Sequence, residues 1–103
     1  MQSTGNEAVR IGLNGFGRIG RTVFRAALDD AGVDIVGIND LMDDEEMAYL
    51  AKHDTVMGTL DGVELRDGEL VVEDAGFSAP LYGERSPADL PWADREVDVA
   101  FEC

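Results

Sequence analysis

Six residues near the start of the chain have the types and the spacing of a phosphate-binding turn. They are Gly15, Phe16, Gly17, Arg18, Ile19 and Gly20. Their order fits the pattern G-x-G-x-x-G, in which the first glycine permits a tight turn and the second lets a pyrophosphate approach the backbone. The third glycine lets a helix pack closely on a strand, and free N–H groups at the start of that helix bind the phosphates. The pattern therefore predicts a dinucleotide-binding turn.

A carboxylate stands where such a site needs one. Asp40 closes the second predicted strand, about 20 residues after the last glycine of the motif. A carboxylate there can accept hydrogen bonds from both hydroxyls of the adenosine ribose, and it would repel a 2′-phosphate, so NAD is favoured over NADP. The alternative is a purely structural glycine turn, and the coincidence of motif, strand, helix and distal acid argues against it.

The motif is flanked by the elements that it requires. Val9–Asn14 is a short apolar run with β-branched residues, typical of a buried strand. A helical pattern follows over residues 18–31, and residues 34–39 form a second apolar run. Strand, helix and strand within about 30 residues predict a βαβ unit, in which the two strands are parallel and the crossover is right-handed.

The apolar residues of the predicted helix indicate its buried face. Ile19, Val23 and Ala27 recur at positions i, i+4 and i+8, and Gly20, Phe24 and Leu28 lie alongside them. This stripe should face the sheet. Gly32 lies just past the predicted end, where a helix C-cap favours a residue that can adopt a positive φ.

A second helix and a hairpin are predicted downstream. Asp43 followed three residues later by Glu46 resembles a capping box that opens a helix. Val63–Arg66 and Glu69–Val72 should pair as an inserted β-hairpin, because the Asp67-Gly68 dipeptide between them suits a type I′ turn.

Three further segments complete the predicted fold. Phe77–Tyr82 is expected to be a strand, Ser86-Pro87 should open a short helical turn, and residues 97–102 should form another buried strand. Trp92 is expected to pack against the edge of the sheet. The elements together predict an α/β fold of the Rossmann type, namely the first half of a doubly wound, partly parallel sheet. Residues 1–8 are interpreted as a disordered tail, and residues 9–103 as a partial nucleotide-binding domain.

The charge of the chain restricts its partners. Asp and Glu number 22 against 8 Lys and Arg, a net charge of −14, so we expect neither nucleic-acid nor membrane binding. The acids are spread along the chain rather than forming one block, which favours a globular protein adapted to high salt over an acidic interaction tail. No segment has the apolar length of a membrane span or the pattern of a secretory signal, and one cysteine allows no internal disulfide. A cytoplasmic location is expected.

Several segments beyond the glycine motif resemble the glyceraldehyde-3-phosphate dehydrogenase family. They are residues 14–21 (NGFGRIGR), 38–41 (INDL), 49–56 (YLAKHDTV), 84–87 (ERSP), 90–92 (LPW) and 97–103 (VDVAFEC). The resemblance runs from Val9 onward with matching order and spacing. It implies an NAD-binding Rossmann domain, a separate catalytic domain and a homotetramer. The implied reaction is the oxidative phosphorylation of glyceraldehyde 3-phosphate with NAD and inorganic phosphate, in glycolysis and its reversal.

The resemblance also implies a cofactor site of nine residues. They are Asn14, Gly15, Phe16, Gly17, Arg18, Ile19, Gly20, Asp40 and Arg85. Arg18 and Ile19 would present backbone N–H groups to the pyrophosphate, and Arg85 would line the adenine end. No metal ligand is expected, because the acids at residues 43–46 are interpreted as solvated.

No catalytic residue is expected within these 103 residues. The family's catalytic cysteine, its partner histidine and the phosphate-binding residues lie downstream, so the catalytic domain is expected to be absent. Cys103 is interpreted as a buried cysteine at a strand end, and His53 as a surface or packing histidine. An inactive fragment, the amino terminus of an erythrose-4-phosphate dehydrogenase and, more distantly, a nucleotide sensor remain alternatives.

Overall fold

The computed structural model describes residues 8–102, which form an α/β fold. In chain order its helices and strands are β1 (Val9–Asn14), α1 (Arg18–Leu28), β2 (Val33–Asn39), α2 (Asp44–Lys52), β3 (His53–Asp54), β4 (Gly58–Thr59), β5 (Val63–Arg66), β6 (Glu69–Val72), β7 (Phe77–Tyr82) and β8 (Val99–Glu102). Short 3-10 turns lie at Glu73–Ala75 and Pro87–Asp89, the second where Ser86-Pro87 predicts a helical turn. The predicted tail, apart from Ala8, and the interpretation of Cys103 lie outside the described residues.

Six of the described strands form one sheet in the order β5-β6-β7-β2-β1-β8, and β3 pairs with β4. Strands β7, β2, β1 and β8 run parallel, whereas β5, β6 and β7 are antiparallel. The βαβ unit and the inserted hairpin are therefore confirmed. Asp67 and Gly68 have φ values of 51° and 79°, as a type I′ turn requires. A mainly parallel sheet covered by helices is the arrangement of a Rossmann-type domain.

Helix α1 is shorter than predicted, and Gly32 does not cap it. The helix ends at Leu28, and its C-cap is Asp29, with φ −104°. Asp30 then accepts the Gly32 N–H through Oδ1 at 2.9 Å. Such a local bond between an aspartate side chain and the backbone competes with continued helix, which explains the earlier end.

The buried face of α1 agrees with the predicted stripe except at Ile19: Gly20 and Phe24 are buried, and Val23, Ala27 and Leu28 pack against the core. Ile19 is 65% exposed, whereas Phe24 is fully buried. The Phe24 ring meets the rings of Phe16 and Phe77 edge to face, with centroids 5.7 and 5.3 Å apart. Ile19 belongs to the first turn of the helix, where Gly20 rather than Ile19 is the buried residue.

Trp92 covers the opposite face of the central strands rather than the sheet edge, which corrects the prediction. A Cβ atom on Gly37 would lie 2.7 Å from Trp92 Cζ3, and one on Gly12 would lie 2.9 Å from Cε2. The two glycines are cross-strand partners in β1 and β2. The β1–β2 register shifts between Ile11 and Gly12. On β2, the residue before Gly37 is Val36, whose carbonyl accepts hydrogen bonds from Arg95 Nη2 and Nε at 3.2 and 3.3 Å. Two paired glycines therefore make the room that the indole ring occupies.

The last strand is shorter and more exposed than predicted. Strand β8 begins at Val99, and all four of its residues are exposed, because within residues 8–102 it is the last strand of the sheet and pairs only with β1. Helix α2 has Asp43 at its N-cap as predicted, although the Asp43 side chain makes no capping hydrogen bond. Among residues 8–102, no helix is long and apolar enough to cross a membrane.

Candidate dinucleotide-binding site

The glycine motif forms the turn between β1 and α1. Gly15 has φ 115°, a conformation that side chains rarely adopt, so glycine is required there. Its N–H donates to the Asn39 carbonyl at 2.7 Å. This bond ties the start of the turn to the end of β2, and the turn therefore lies at the carboxyl edge of the parallel strands, where ligands bind in open α/β sheets.

The start of α1 offers backbone donors to an anion. Gly17 is the N-cap, and the first helical bond runs from Arg21 N–H to the Gly17 carbonyl at 2.9 Å. The N–H groups of the three residues between them consequently have no acceptor within the helix. No acidic residue lies in the first turn. A Cβ atom on Gly17 would meet nothing within 4 Å, so nothing in the described fold itself requires glycine here. An open cradle of N–H groups at a helix start fits a pyrophosphate.

Asp40 stands beside this turn, as predicted. Its Oδ2 atom accepts the Phe16 N–H at 2.8 Å, and Oδ1 accepts the Met42 N–H at 3.0 Å. Each carboxylate oxygen has two acceptor sites, so one on each remains for the two hydroxyls of a ribose. The carboxylate thus fixes the backbone of the turn and can also serve a sugar.

Asn39 is a site-building residue that the sequence reasoning missed. Its side chain, in a residue only 4% exposed, donates from Nδ2 to Asn14 Oδ1 at 2.9 Å and to the Glu84 carbonyl at 3.0 Å. Its Oδ1 accepts the Glu84 N–H at 2.8 Å, and Asn14 Nδ2 donates in turn to Glu102 Oε1 at 2.8 Å. This amide ladder links three parallel strands to the loop after β7. The available signal was an asparagine that closes a strand directly after the apolar residues 35–38.

Residues from three segments of the chain line one cleft of about 290 Å³ beside the turn. They are Asn14, Gly15, Asn39, Asp40, Leu41, Glu84 and Arg85. The structure therefore brings Arg85, exposed on the loop after β7, to the same cleft as Asp40. Phe16 does not line this cleft: its N–H donates to Asp40, and its ring is buried against Phe24.

The Arg18 side chain pairs with a buried carboxylate instead of lying in the cleft. Arg18 Nη1 is 2.7 Å from Asp54 Oδ2, and the Asp54 side chain is 1% exposed. The N–H groups of Met57 and Val56, together with Arg18, lower the pKa of Asp54 from its ordinary 3.8 to about 2 against the opposing effect of burial. Asp54 is therefore ionised at neutral pH. His53, interpreted as a surface histidine, is exposed and lies against the Tyr49 ring.

Comparison with known proteins agrees with this geometry. The sequence profile described as "Glyceraldehyde 3-phosphate dehydrogenase, NAD binding domain" matches residues 9–103. The glyceraldehyde-3-phosphate dehydrogenase of Haloarcula vallismortis is 57% identical over 98 residues, covering 95% of this chain and 29% of the relative. That of Haemophilus influenzae is 52% identical over 97 residues, covering 93% and 28%. Glyceraldehyde-3-phosphate dehydrogenase A of Escherichia coli K12 is 48% identical over 96 residues, covering 92% and 28%.

The chain thus spans under a third of the length of these curated relatives. The profile match covers nearly all of the chain and includes the glycine turn, Asp40 and the loop that carries Arg85. The chain belongs to the family of the NAD-binding domain of glyceraldehyde 3-phosphate dehydrogenase.

Proposed function

We propose that the cleft at the carboxyl edge of β1, β2 and β7 holds the adenosine half of NAD. The turn at residues 15–20 would bind the pyrophosphate through the N–H groups of Arg18 and Ile19, while Asp40 accepts hydrogen bonds from the ribose. Arg85 would line the adenine end. The observation that supports this most is the open cradle in front of Gly17, beside donors that lack a helical acceptor.

The same geometry favours NAD over NADP. Asp40 is an acid beside the place proposed for the ribose, and a 2′-phosphate there would face like-charge repulsion. Both carboxylate oxygens already hold backbone N–H groups, so the carboxylate cannot turn away without freeing the turn. The site should therefore bind NAD more tightly than NADP.

Calorimetric titration of NAD and NADP into the chain in concentrated KCl tests this. Wild type should bind NAD more tightly than NADP, and Asp40→Asn should lose most of that preference while keeping a similar shape. Asp43→Ala is the matched control, because Asp43 is an exposed acid whose side chain makes no capping bond. A folded wild-type chain that binds neither nucleotide would contradict the proposal, as would an unchanged preference in Asp40→Asn.

We further propose that residues 9–103 serve as the dinucleotide-binding part of a phosphorylating glyceraldehyde-3-phosphate dehydrogenase. Because the chain spans 29% of the Haloarcula relative, this activity is assigned to a protein that carries the remainder of that length. It would act as a cytoplasmic homotetramer in glycolysis and gluconeogenesis. The relatives' names and the site support this proposal, and the dispersed net charge of −14 supports adaptation to high salt.

The substrate is tested with the whole protein. Formation of NADH is followed with glyceraldehyde 3-phosphate and with erythrose 4-phosphate, each with and without inorganic phosphate. We expect phosphate-dependent turnover that favours the three-carbon aldehyde. Preference for the four-carbon aldehyde would transfer the assignment to the sister enzyme.

A further inference from the structure

Two arginines fasten α1 to the β3–β4 hairpin, residues 53–59. Arg18 and Arg25 lie seven residues apart, close to two helical turns, so both project from one side of α1. Arg25 Nη2 donates to the Gly58 carbonyl in the hairpin at 2.7 Å, and to the Ala51 and Lys52 carbonyls at the end of α2, both at 3.1 Å. Arg18 makes the second attachment, through Asp54. The hairpin therefore touches the helix at its start and again two turns later.

Backbone hydrogen bonds position the Asp54 carboxylate independently of Arg18. Its Oδ1 atom accepts the Val56 and Met57 N–H groups, both at 2.8 Å, which leaves Oδ2 directed to the Arg18 guanidinium at 2.7 Å. These hydrogen bonds restrain the position of the Asp54 carboxylate, because a buried charge that loses its hydrogen-bond partners is strongly destabilised. Arg18 is 48% exposed at its side chain, so the restraint acts from the buried acid on the exposed arginine.

Arg18 is also the first residue of α1, and its N–H is one of the proposed pyrophosphate donors. We propose that Asp54 is a positioning residue for the pyrophosphate subsite, which holds the Arg18 side chain and thereby fixes the first turn of α1. The inference rests on the proposed function. It means that the phosphates are bound by oriented N–H groups and that the Arg18 charge is committed to Asp54.

The ligand series separates positioning from general support of the fold. ADP-ribose contains the pyrophosphate, and adenosine contains only the part proposed for the cleft at Asp40 and Arg85. Affinities of both are measured by NMR titration in concentrated KCl for wild type, Asp54→Asn, Arg18→Met and the double variant. Arg66→Met is the matched control, because Arg66 also pairs with carboxylates, Glu64 and Glu73, but lies in β5 outside the cleft.

We expect Asp54→Asn and Arg18→Met each to weaken ADP-ribose binding about tenfold, the size of one lost charge-assisted hydrogen bond. Adenosine binding should change less than about twofold, and the double variant should be no weaker than either single variant. Arg18→Lys, which keeps a charge able to pair with Asp54, should restore most of the affinity. Arg66→Met should bind both ligands as wild type does.

The inference is overturned if Asp54→Asn binds ADP-ribose as tightly as wild type or more tightly, which would mean that a released Arg18 serves the phosphates directly. Equal weakening of both ligands would also overturn it, by showing general structural support. If Asp54→Asn does not fold, Arg18→Met decides alone, because it keeps both backbone bonds to Asp54. Failure of wild type to bind ADP-ribose would instead count against the proposed function.

Discussion

Replacing Asn39 by aspartate should disrupt the amide ladder in a way that a second substitution can repair. The carboxylate would still accept the Glu84 N–H, but it would set an oxygen where Nδ2 now donates to Asn14 Oδ1 at 2.9 Å and to the Glu84 carbonyl at 3.0 Å. Two hydrogen bonds are lost in a residue that is 4% exposed. At about 1–3 kcal/mol for each buried group left without its partner, we expect a loss of about 3 kcal/mol in the free energy of unfolding.

Asn39→Asp should also disturb the neighbouring hydrogen bond between Asn14 and Glu102. Asn14 can turn its amide to donate to the introduced carboxylate, and this turn places Asn14 Oδ1 against Glu102 Oε1, where the present separation from Nδ2 is 2.8 Å. Two acceptors then face each other. Glu102→Gln supplies a donor at that point, so it should be nearly neutral alone but should recover about 1 kcal/mol in the presence of Asn39→Asp.

Urea unfolding in concentrated KCl, followed by the fluorescence of the single tryptophan, Trp92, measures all four free energies. Asn39→Leu serves as the shape-matched control without a charge, and Glu102→Gln should give it no recovery. Additive effects of Asn39→Asp and Glu102→Gln would refute the ladder as a connected network. So would an Asn39→Asp variant whose stability lies within about 0.5 kcal/mol of wild type.

Three further predictions concern glycine, pH and salt. Gly37→Ala should lower the free energy of unfolding by about 1–3 kcal/mol, because its Cβ would lie 2.7 Å from Trp92. Gly17→Ala should lower it by less than about 1 kcal/mol yet abolish NAD binding. Thermal unfolding and calorimetry measure both effects, and a Gly17→Ala variant that is strongly destabilised or still binds NAD would be inconsistent with the open cradle. Because the pKa of Asp54 is lowered to about 2, its ionised form stabilises the fold above pH 3.8, and that contribution disappears as the pH falls toward 2. The difference in free energy of unfolding between wild type and Asp54→Asn should therefore shrink over this range. A difference that stays constant would argue against a stabilising role of the ionised carboxylate. With a net charge of −14, the chain should be marginally stable at low salt and gain structure in concentrated KCl; circular dichroism during a salt titration tests this, and a well-folded chain at low salt contradicts it.

Local rules predicted the parts of the fold that depend on a few neighbouring residues. The hairpin turn follows from the positive φ that Asp67-Gly68 tolerates, and the βαβ unit follows from apolar runs on either side of the glycine motif. Asp40 could be placed at the turn because the carboxyl ends of adjacent parallel strands must meet at one edge. These features need no knowledge of distant packing.

The missed features all depend on residues far apart in the chain. From the sequence, Gly37 is an unfavourable residue within a strand. The structure explains it, because the Trp92 ring occupies the space where a side chain would lie. The partner of Arg18 is 36 residues away, and periodicity carries no information on such pairs. Ile19 satisfies the helical period and is nevertheless exposed, because period alone does not reveal which residue of a first turn contacts the core.

The placement of charge connects the acidic surface with the proposed binding of an anionic cofactor. Helix α1 contains three arginines and no acid in its 11 residues, although the chain as a whole carries −14. Arg18 is paired with Asp54, while Arg21 and Arg25 donate to backbone carbonyls, so no side chain of α1 places a carboxylate beside the proposed pyrophosphate. At about 1 M salt the screening length is about 3 Å, so repulsion from the distant acids fades while short N–H contacts to a pyrophosphate persist. An acidic chain can therefore bind a dinucleotide in high salt, provided that its acids are kept off the one helix whose start forms the site.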